Sequence, residues 1–415
     1  MLNEAKTICL NAIKACLPQE AVAEALADLK FDKEVYLAAV GKAAFSMAEE
    51  AVKHVKVKKG IVITKYGHVR GEIPGIDCYE AGHPVLDANS IQATEKLIAM
   101  CEDLTPDDTV LFLLSGGASS LFESPLIPLA ELQELNSQML KKGLPIFAIN
   151  AIRKKLSKVK GGRFADICQP AKVYSIILSD VLADRLDTIG SGPTIKDETT
   201  AQEALKILDE YGIDISDETR KLIQNTTMAK ADNSYHLIIG SVKILCEKAM
   251  EEAEKLGYRT ILLSDHIDME AKQAGDLLYE ELMKYRHTDE NVALIMGGET
   301  IVHVKGKGLG GRNQELVFSQ MKKIAGMDDV LIMSVGSDGT DGPTDAAGGY
   351  IDGSSYEKLL KQGLNFEEIL ADNDSYHGLK AIDGLIMTGP TGTNVNDISL
   401  ALIRNKKGES KWRNS

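Results

Sequence analysis

The stretch LFLLSGGASSLFESP, residues 111 to 125, decides the fold class. Its apolar residues run from Leu111 to Leu114 without polar alternation, as in a strand covered on both faces, and two glycines follow at once. Such strands belong to parallel sheets flanked by helices, and ligands bind past their carboxyl ends. There the backbone N–H groups of Ser115, Gly116, Gly117 and Ala118 can cradle phosphate oxygens, although a plain strand-to-helix turn would use the same residues.

Outward from this stretch the same grammar repeats. Strands are expected at 35–40, 60–65, 109–115, 173–179, 236–241, 259–264, 292–298, 301–306 and 330–336, most of them continuously apolar. Amphipathic stretches at 42–55, 90–104, 129–142, 146–160, 242–256, 269–286 and 312–324 fill the gaps as helices. The polar segment 195–233 holds two helical patterns and no strand. A chain of 415 residues exceeds what one core supports. Two α/β domains are therefore expected, residues 1–230 and 231–415, the first with a mainly parallel sheet and the last helix packing back on it.

The net charge of -14 excludes an extended nucleic-acid surface, so an anionic ligand must be captured by locally concentrated cations and N–H groups. The six cysteines show no CxxC, and no apolar run approaches the roughly 20 residues of a membrane span. Reduced thiols and a cytoplasmic location are expected, with no membrane partner.

Three further clusters carry chemistry. VHVKGKGLGGRNQE, residues 302 to 315, satisfies GxGxxG at Gly306, Gly308 and Gly311, and aims Gly310 and Gly311 and a helix start at an anion. Arg312 and Asn313 follow where a P-loop has Lys and Ser/Thr. Residues 141 to 163 contain eight cations and no acid, with Lys154 and Lys158 one turn apart on one face and Lys160 on an adjacent one. A phosphate-facing surface and a solvated, dipole-favoured helix end both fit. Asp180, Asp184 and Asp187 follow one strand and Asp338, Asp341 and Asp345 another, a density that suits Mg²⁺ beside phosphates as well as ordinary turns.

Taken together, VGKAA, LLSGGASSL, NAIRKKLSKVKGGRFA, ILSDV with IGSGPT, GGET, GKGLGGRNQE, GSDGTDGPTDAAGG and GPTGTNVND make the chain resemble the class II glycerate kinases, whose C-terminal part is the MOFRL domain. The likeness runs essentially end to end. It implies a Rossmann-like first domain, a second α/β domain, an active site in the interdomain cleft, and phosphorylation of D-glycerate by ATP, with Lys42 and Arg312 as facing cations. Lys155 stands where the family often has His, and Ala118 where it often has Gly.

On that resemblance, Ser115 to Ala118, Lys154, Lys158, Gly310 and Gly311 hold phosphates, and Asp180, Asp338 and Asp345 bind Mg²⁺. Arg312 with Asn313, or Lys160, takes the glycerate carboxylate beside Glu299. Asp180 orients or deprotonates the attacking hydroxyl, a role Asp338 could fill. The C2 product is favoured over C3, and a monomer or homodimer is expected. A nicotinamide-dependent hydroxy-acid dehydrogenase and a non-catalytic sugar-acid or nucleotide sensor are the rivals; Arg312 directly after the last glycine of GxGxxG weighs against the dehydrogenase.

Overall fold

The computed structural model describes residues 1–181 and 185–405. Twelve strands lie within them: β1 (Val35–Val40), β2 (Val57–Lys65), β3 (Ile76–Ala81), β4 (Thr109–Leu114), β5 (Lys172–Leu178), β6 (Ser234–Gly240), β7 (Arg259–Ile267), β8 (Val292–Gly298), β9 (Val330–Gly336), β10 (Gly348–Asp352), β11 (Leu385–Ile386) and β12 (Asp397–Ile403). They form two six-stranded sheets, and the chain divides into two compact units, Pro18–Ile239 and Met1–Leu17 with Gly240–Ser415.

In the first unit the strands run β3-β2-β1-β4-β5-β6, the order of a doubly wound dinucleotide fold. β1 pairs in parallel with β2 and β4, β2 with β3, and β4 with β5. The order reverses between β1 and β4, and the crevice at that reversal is where such sheets bind ligands. Under it, Phe112 packs against Phe164 at 4.9 Å between ring centroids, and Phe122 crosses Phe164 edge-on at 5.1 Å. Each fully buried ring contributes about 1.5–3 kcal/mol and anchors the turn that follows β4. A second apolar cluster joins the helices Leu129–Lys141, Ile146–Lys155, Ala201–Glu210 and Asp217–Gln224 through Leu132, Leu135, Ile152, Leu208 and Ile223. The last two are the helical patterns of 195–233, started by the Thr200–Glu203 capping box and the Ser216 cap.

The second sheet, β11-β10-β9-β12-β8-β7, is mixed. β12 runs antiparallel between β8 and β9, while β7 and β8 are parallel. The seven residues of β12 are all buried, so this chain-terminal run forms a central strand.

Three expectations change. The division at 231 moves to about 240, because Ser234–Gly240 adds a strand to the first sheet. The first helix, Leu2–Ala15, packs on Val242–Lys255 and belongs with the second unit. The run 301–306 is not a strand: Ile301 makes an isolated bridge to Glu270, and the following residues are irregular. The last described helix, Ser375–Lys380, packs on Arg312–Gln320 within its own unit, and any later helix would fall on 406–415, outside the described residues. No described helix is long and apolar enough to cross a membrane.

Candidate active site

The turn after β4 is braced against the turn after β1. The Ser115 N–H donates to the Val40 carbonyl at 2.9 Å, its Oγ accepts from the Ala43 N–H at 3.1 Å, and the Lys42 N–H donates to the Gly116 carbonyl at 2.8 Å. Ser115 is thus a strut, and its N–H is already used. The N–H groups of Gly116 and Gly117 have no acceptor among the described residues.

What surrounds these two glycines is decided by close approach. A Cβ on Gly116 would overlap the carboxylate of Asp180, which enters from the end of β5. Gly117 has φ +85°, and a Cβ there would lie 2.9 Å from His83 Cδ2 and 3.1 Å from Lys42 Cγ. Lys42, Gly116, Gly117, Asp180 and His83 therefore meet at the point where the strand order reverses. Sequence reading brought four of these together and missed His83, an isolated histidine just past β3. Burial lowers the His83 imidazole, and the charges of Lys42, Lys65 and His68 lower it further, so it is neutral near pH 7.

The cation-rich segment behaves differently from its expectation. Lys154 is buried and faces Asp197 at 3.4 Å and Asp187 at 3.7 Å; Lys155 meets Asp197 at 2.7 Å and the Thr199 carbonyl. Lys158 pairs with Glu95 at 2.9 Å on the surface. Lys160 is fully buried, 3.1 Å from Glu123 and 2.8 Å from the Phe122 carbonyl, and burial pulls its ammonium down to about 8 against the pull of Glu123. Lys154, Lys158 and Lys160 thus each pair with one of the chain's own acids. The chain also leaves the helical path after Lys155, so the helical spacing assumed for Lys158 and Lys160 does not apply. Asp184 lies outside the described residues.

In the second unit Asp341 caps the helix that follows the loop 306–311. Its carboxylate accepts from the N–H groups of Asn313 at 3.1 Å and Gln314 at 2.8 Å, the first turn of the helix Arg312–Gln320. A Cβ on Gly311 would strike Asp341, and one on Gly310 would strike Ser375. Burial raises the Asp341 carboxyl, with the Gln314 and Asn313 N–H groups opposing. The N–H groups of Gly310 and Gly311 have no acceptor among the described residues, and both glycines line a cavity with Arg312. Asn313 is buried and takes a hydrogen bond from Ser334 Oγ, so it is internal.

Arg312 grips Asp397 with two nitrogens, Nε to Oδ2 at 2.6 Å and Nη2 to Oδ1 at 3.2 Å, and gives Nη1 to Glu299 at 2.6 Å. Burial would lower the guanidinium, but Asp397 and Glu299 outweigh it and hold it above its ordinary value. Burial pushes the Asp397 carboxyl up to about 6, against Arg312. Glu299 thus orients an arginine. Asp338 accepts from the Thr340 N–H at 2.9 Å in a local turn and lines a cavity of about 600 Å³ with Arg312. Asp345 is exposed and accepts the Tyr376 hydroxyl at 2.8 Å. Among the described residues no group of three or more His, Cys, Asp or Glu is placed to hold a metal. The donor set at the first turn nevertheless suits Mg²⁺, which needs only one or two carboxylates when phosphates and water complete its shell. Asp180 over Gly116 supplies one.

Residues 4–224 match a family described as a domain of unknown function (DUF4147), and residues 292–397 match the MOFRL family. Over 404 residues the chain is 47% identical to the D-glycerate 2-kinase of Thermotoga maritima, covering 95% of this chain and 97% of that protein. An Agrobacterium vitis protein provisionally named a hydroxypyruvate reductase is 37% identical over 357 residues, 83% of this chain and 81% of that one. The crystal structure of a Thermotoga maritima glycerate kinase superposes with a TM-score of 0.93 at 46% identity, covering 97% of this chain and 99% of that chain.

Proposed function

The chain belongs to the glycerate kinase family that carries a C-terminal MOFRL domain, and from that membership we propose that it transfers the terminal phosphoryl group of ATP to D-glycerate. The observation that carries the reading is the meeting of Lys42, the unspent N–H groups of Gly116 and Gly117, and Asp180 at the reversal of the first sheet. Phosphoryl transfer asks the protein for positioning and charge neutralisation, and these groups offer both. Gly116 and Gly117 cradle the phosphate oxygens, and the Lys42 ammonium neutralises charge that builds during transfer. Asp180 would hold Mg²⁺ through one oxygen, and the ion when bound neutralises phosphate charge. With its other oxygen Asp180 orients the attacking hydroxyl and receives its proton. The new bond joins that hydroxyl oxygen to phosphorus as the bond to the bridging oxygen breaks, and ADP leaves.

The name of the Thermotoga maritima relative favours the C2 hydroxyl as acceptor. The name of the Agrobacterium vitis relative favours a second reading, reduction of hydroxypyruvate by a nicotinamide cofactor. Against that reading, the GxGxxG loop follows no strand here and its helix is capped by Asp341. One assay set separates them. Purified protein is expected to form ADP only when D-glycerate and Mg²⁺ are both present, with a 2-phosphoglycerate signal in the phosphorus NMR spectrum. Equal turnover in excess chelator would remove the metal, and hydroxypyruvate-dependent loss of NADH absorbance without ADP formation would replace the kinase by the reductase.

A further inference from the structure

Among the cations of residues 141 to 163, Arg153 stands apart. Its neighbours Lys154, Lys155, Lys158 and Lys160 each face a carboxylate within 4.0 Å, whereas Arg153, in the last turn of the helix Ile146–Lys155, pairs with no acid among the described residues. A guanidinium carries five N–H donors. Here Nη2 donates to the Ser119 carbonyl at 2.8 Å, and the buried Nε has no acceptor. Glu123 is the acid whose field reaches it; its Oε2 pairs with Lys160 at 3.1 Å, its buried Oε1 has no hydrogen-bond partner, and neither oxygen is bonded to Arg153. A largely buried charge without a partner is costly to keep. The fork is also held in place: Ser119 sits in the segment that follows Gly117, so one hydrogen bond ties Arg153 to the candidate phosphate turn.

The same guanidinium lines a cavity of about 500 Å³ whose wall includes His83, Gly117, Ser119 and Ser120. Opposite them stand Val85, Leu140 and Ile146, apolar side chains more than half exposed. They leave a charge in this cavity poorly screened on one side. We propose that Arg153, seconded by the His83 ring, is an oxyanion subsite of this cavity, which takes either a phosphate of the nucleotide or the carboxylate of the hydroxy acid. Both present two oxygens at once to the fork, and arginine keeps its charge however dry the cavity becomes. The choice of these two ligands rests on the kinase reading; the existence of an oxyanion subsite does not.

Calorimetry and steady-state kinetics on the full chain test this with Arg153→Met and Arg153→Lys. The Met variant is expected to weaken ATP or D-glycerate by at least about tenfold, the scale of a lost charge-assisted hydrogen bond, and Lys to recover part of it. A rise confined to ATP identifies the phosphate, and one confined to D-glycerate identifies the carboxylate. Unchanged affinity for both in a folded Met variant overturns the subsite. His83→Ala, at a half-buried loop position, is expected to shift the same ligand severalfold, and decides the matter if Arg153→Met does not fold; no shift for either ligand would then overturn the proposal. Should the wild type show no kinase turnover, the functional reading fails, and titration with inorganic phosphate of wild type against the variants still decides the subsite: weaker phosphate binding in the variants supports it, and identical binding or none overturns it.

Discussion

Two of the glycine-rich turns that precede helical segments, residues 115–118 and 305–311, differ in how much of their backbone the chain itself satisfies. At Gly116 and Gly117 the N–H groups are unspent and Asp180, His83 and Lys42 stand around them. At residues 305–311 the chain satisfies most of its own loop: Asn373 Oδ1 accepts from the Lys305 and Gly306 N–H groups, Asp372 from Lys307, Asp374 from Leu309, and Asp341 caps the helix behind, while the Gly310 and Gly311 N–H groups have no acceptor among the described residues. Both sequences have the small residues and helix start that favour an anion. The lesson is that such a loop states an appetite for negative charge and is silent on whether a ligand or an aspartate from 30 residues away satisfies it.

The sharpest way to break this comparison is Gly116→Ala. The added methyl must displace the Asp180 carboxylate, so kcat/KM is expected to fall by roughly 10² to 10³, the scale of losing preorganised transition-state stabilisation. Gly71→Ala, at a glycine with open space around it, is the control and should be silent. Full activity of Gly116→Ala would mean the open turn is not the phosphate site.

Next in size is Asp341→Asn, which weakens the cap of the second loop. An amide keeps one acceptor oxygen where the carboxylate offered two, and a loss of about 1–3 kcal/mol in unfolding free energy is expected. Denaturant titration reads that loss, and the KM for ATP should stay within about twofold. A large change in ATP affinity at unchanged stability would show that the second loop binds substrate.

The smallest effect is a pH dependence at the open turn. The His83 pKa lies below its ordinary 6.5 in the folded chain, so the unfolded chain binds the proton more readily. The stability His83 contributes is present above pH 6.5 and is lost as pH falls through the folded pKa. Thermal melts of His83→Gln should be flatter than wild type across that window. A wild-type stability that rises on acidification there, and does so less in the variant, would reverse the sign.

Much of the first unit was legible because its strands are unbroken apolar runs; β1, β4 and β5, with the glycines after the first two and Asp180 after the third, needed no tertiary information. β3 escaped because Asp77 and Glu80 interrupt it, and with it went His83, whose position only that strand explains. The partners of the cation-rich segment were hidden for a different reason. Eight cations without an acid look unpaired along the chain, yet Lys160 finds Glu123 and Lys155 finds Asp197, both 37 residues or more away. In the second unit β12 ends the described chain and lies antiparallel between two strands, a pairing that no local pattern encodes. Arg312 was singled out correctly as unusual, but its fork is turned on Asp397, a partner 85 positions later.

The most direct measurement is a crystal structure of the chain with Mg²⁺ and a non-hydrolysable ATP analogue. Phosphate oxygens are expected within hydrogen-bond distance of the Gly116 and Gly117 N–H groups, with Asp180 at the metal and Asp341 still capping the helix that begins at Arg312. Phosphate density on Gly310 and Gly311 with Asp341 displaced, and the Gly116–Gly117 turn empty, would contradict it.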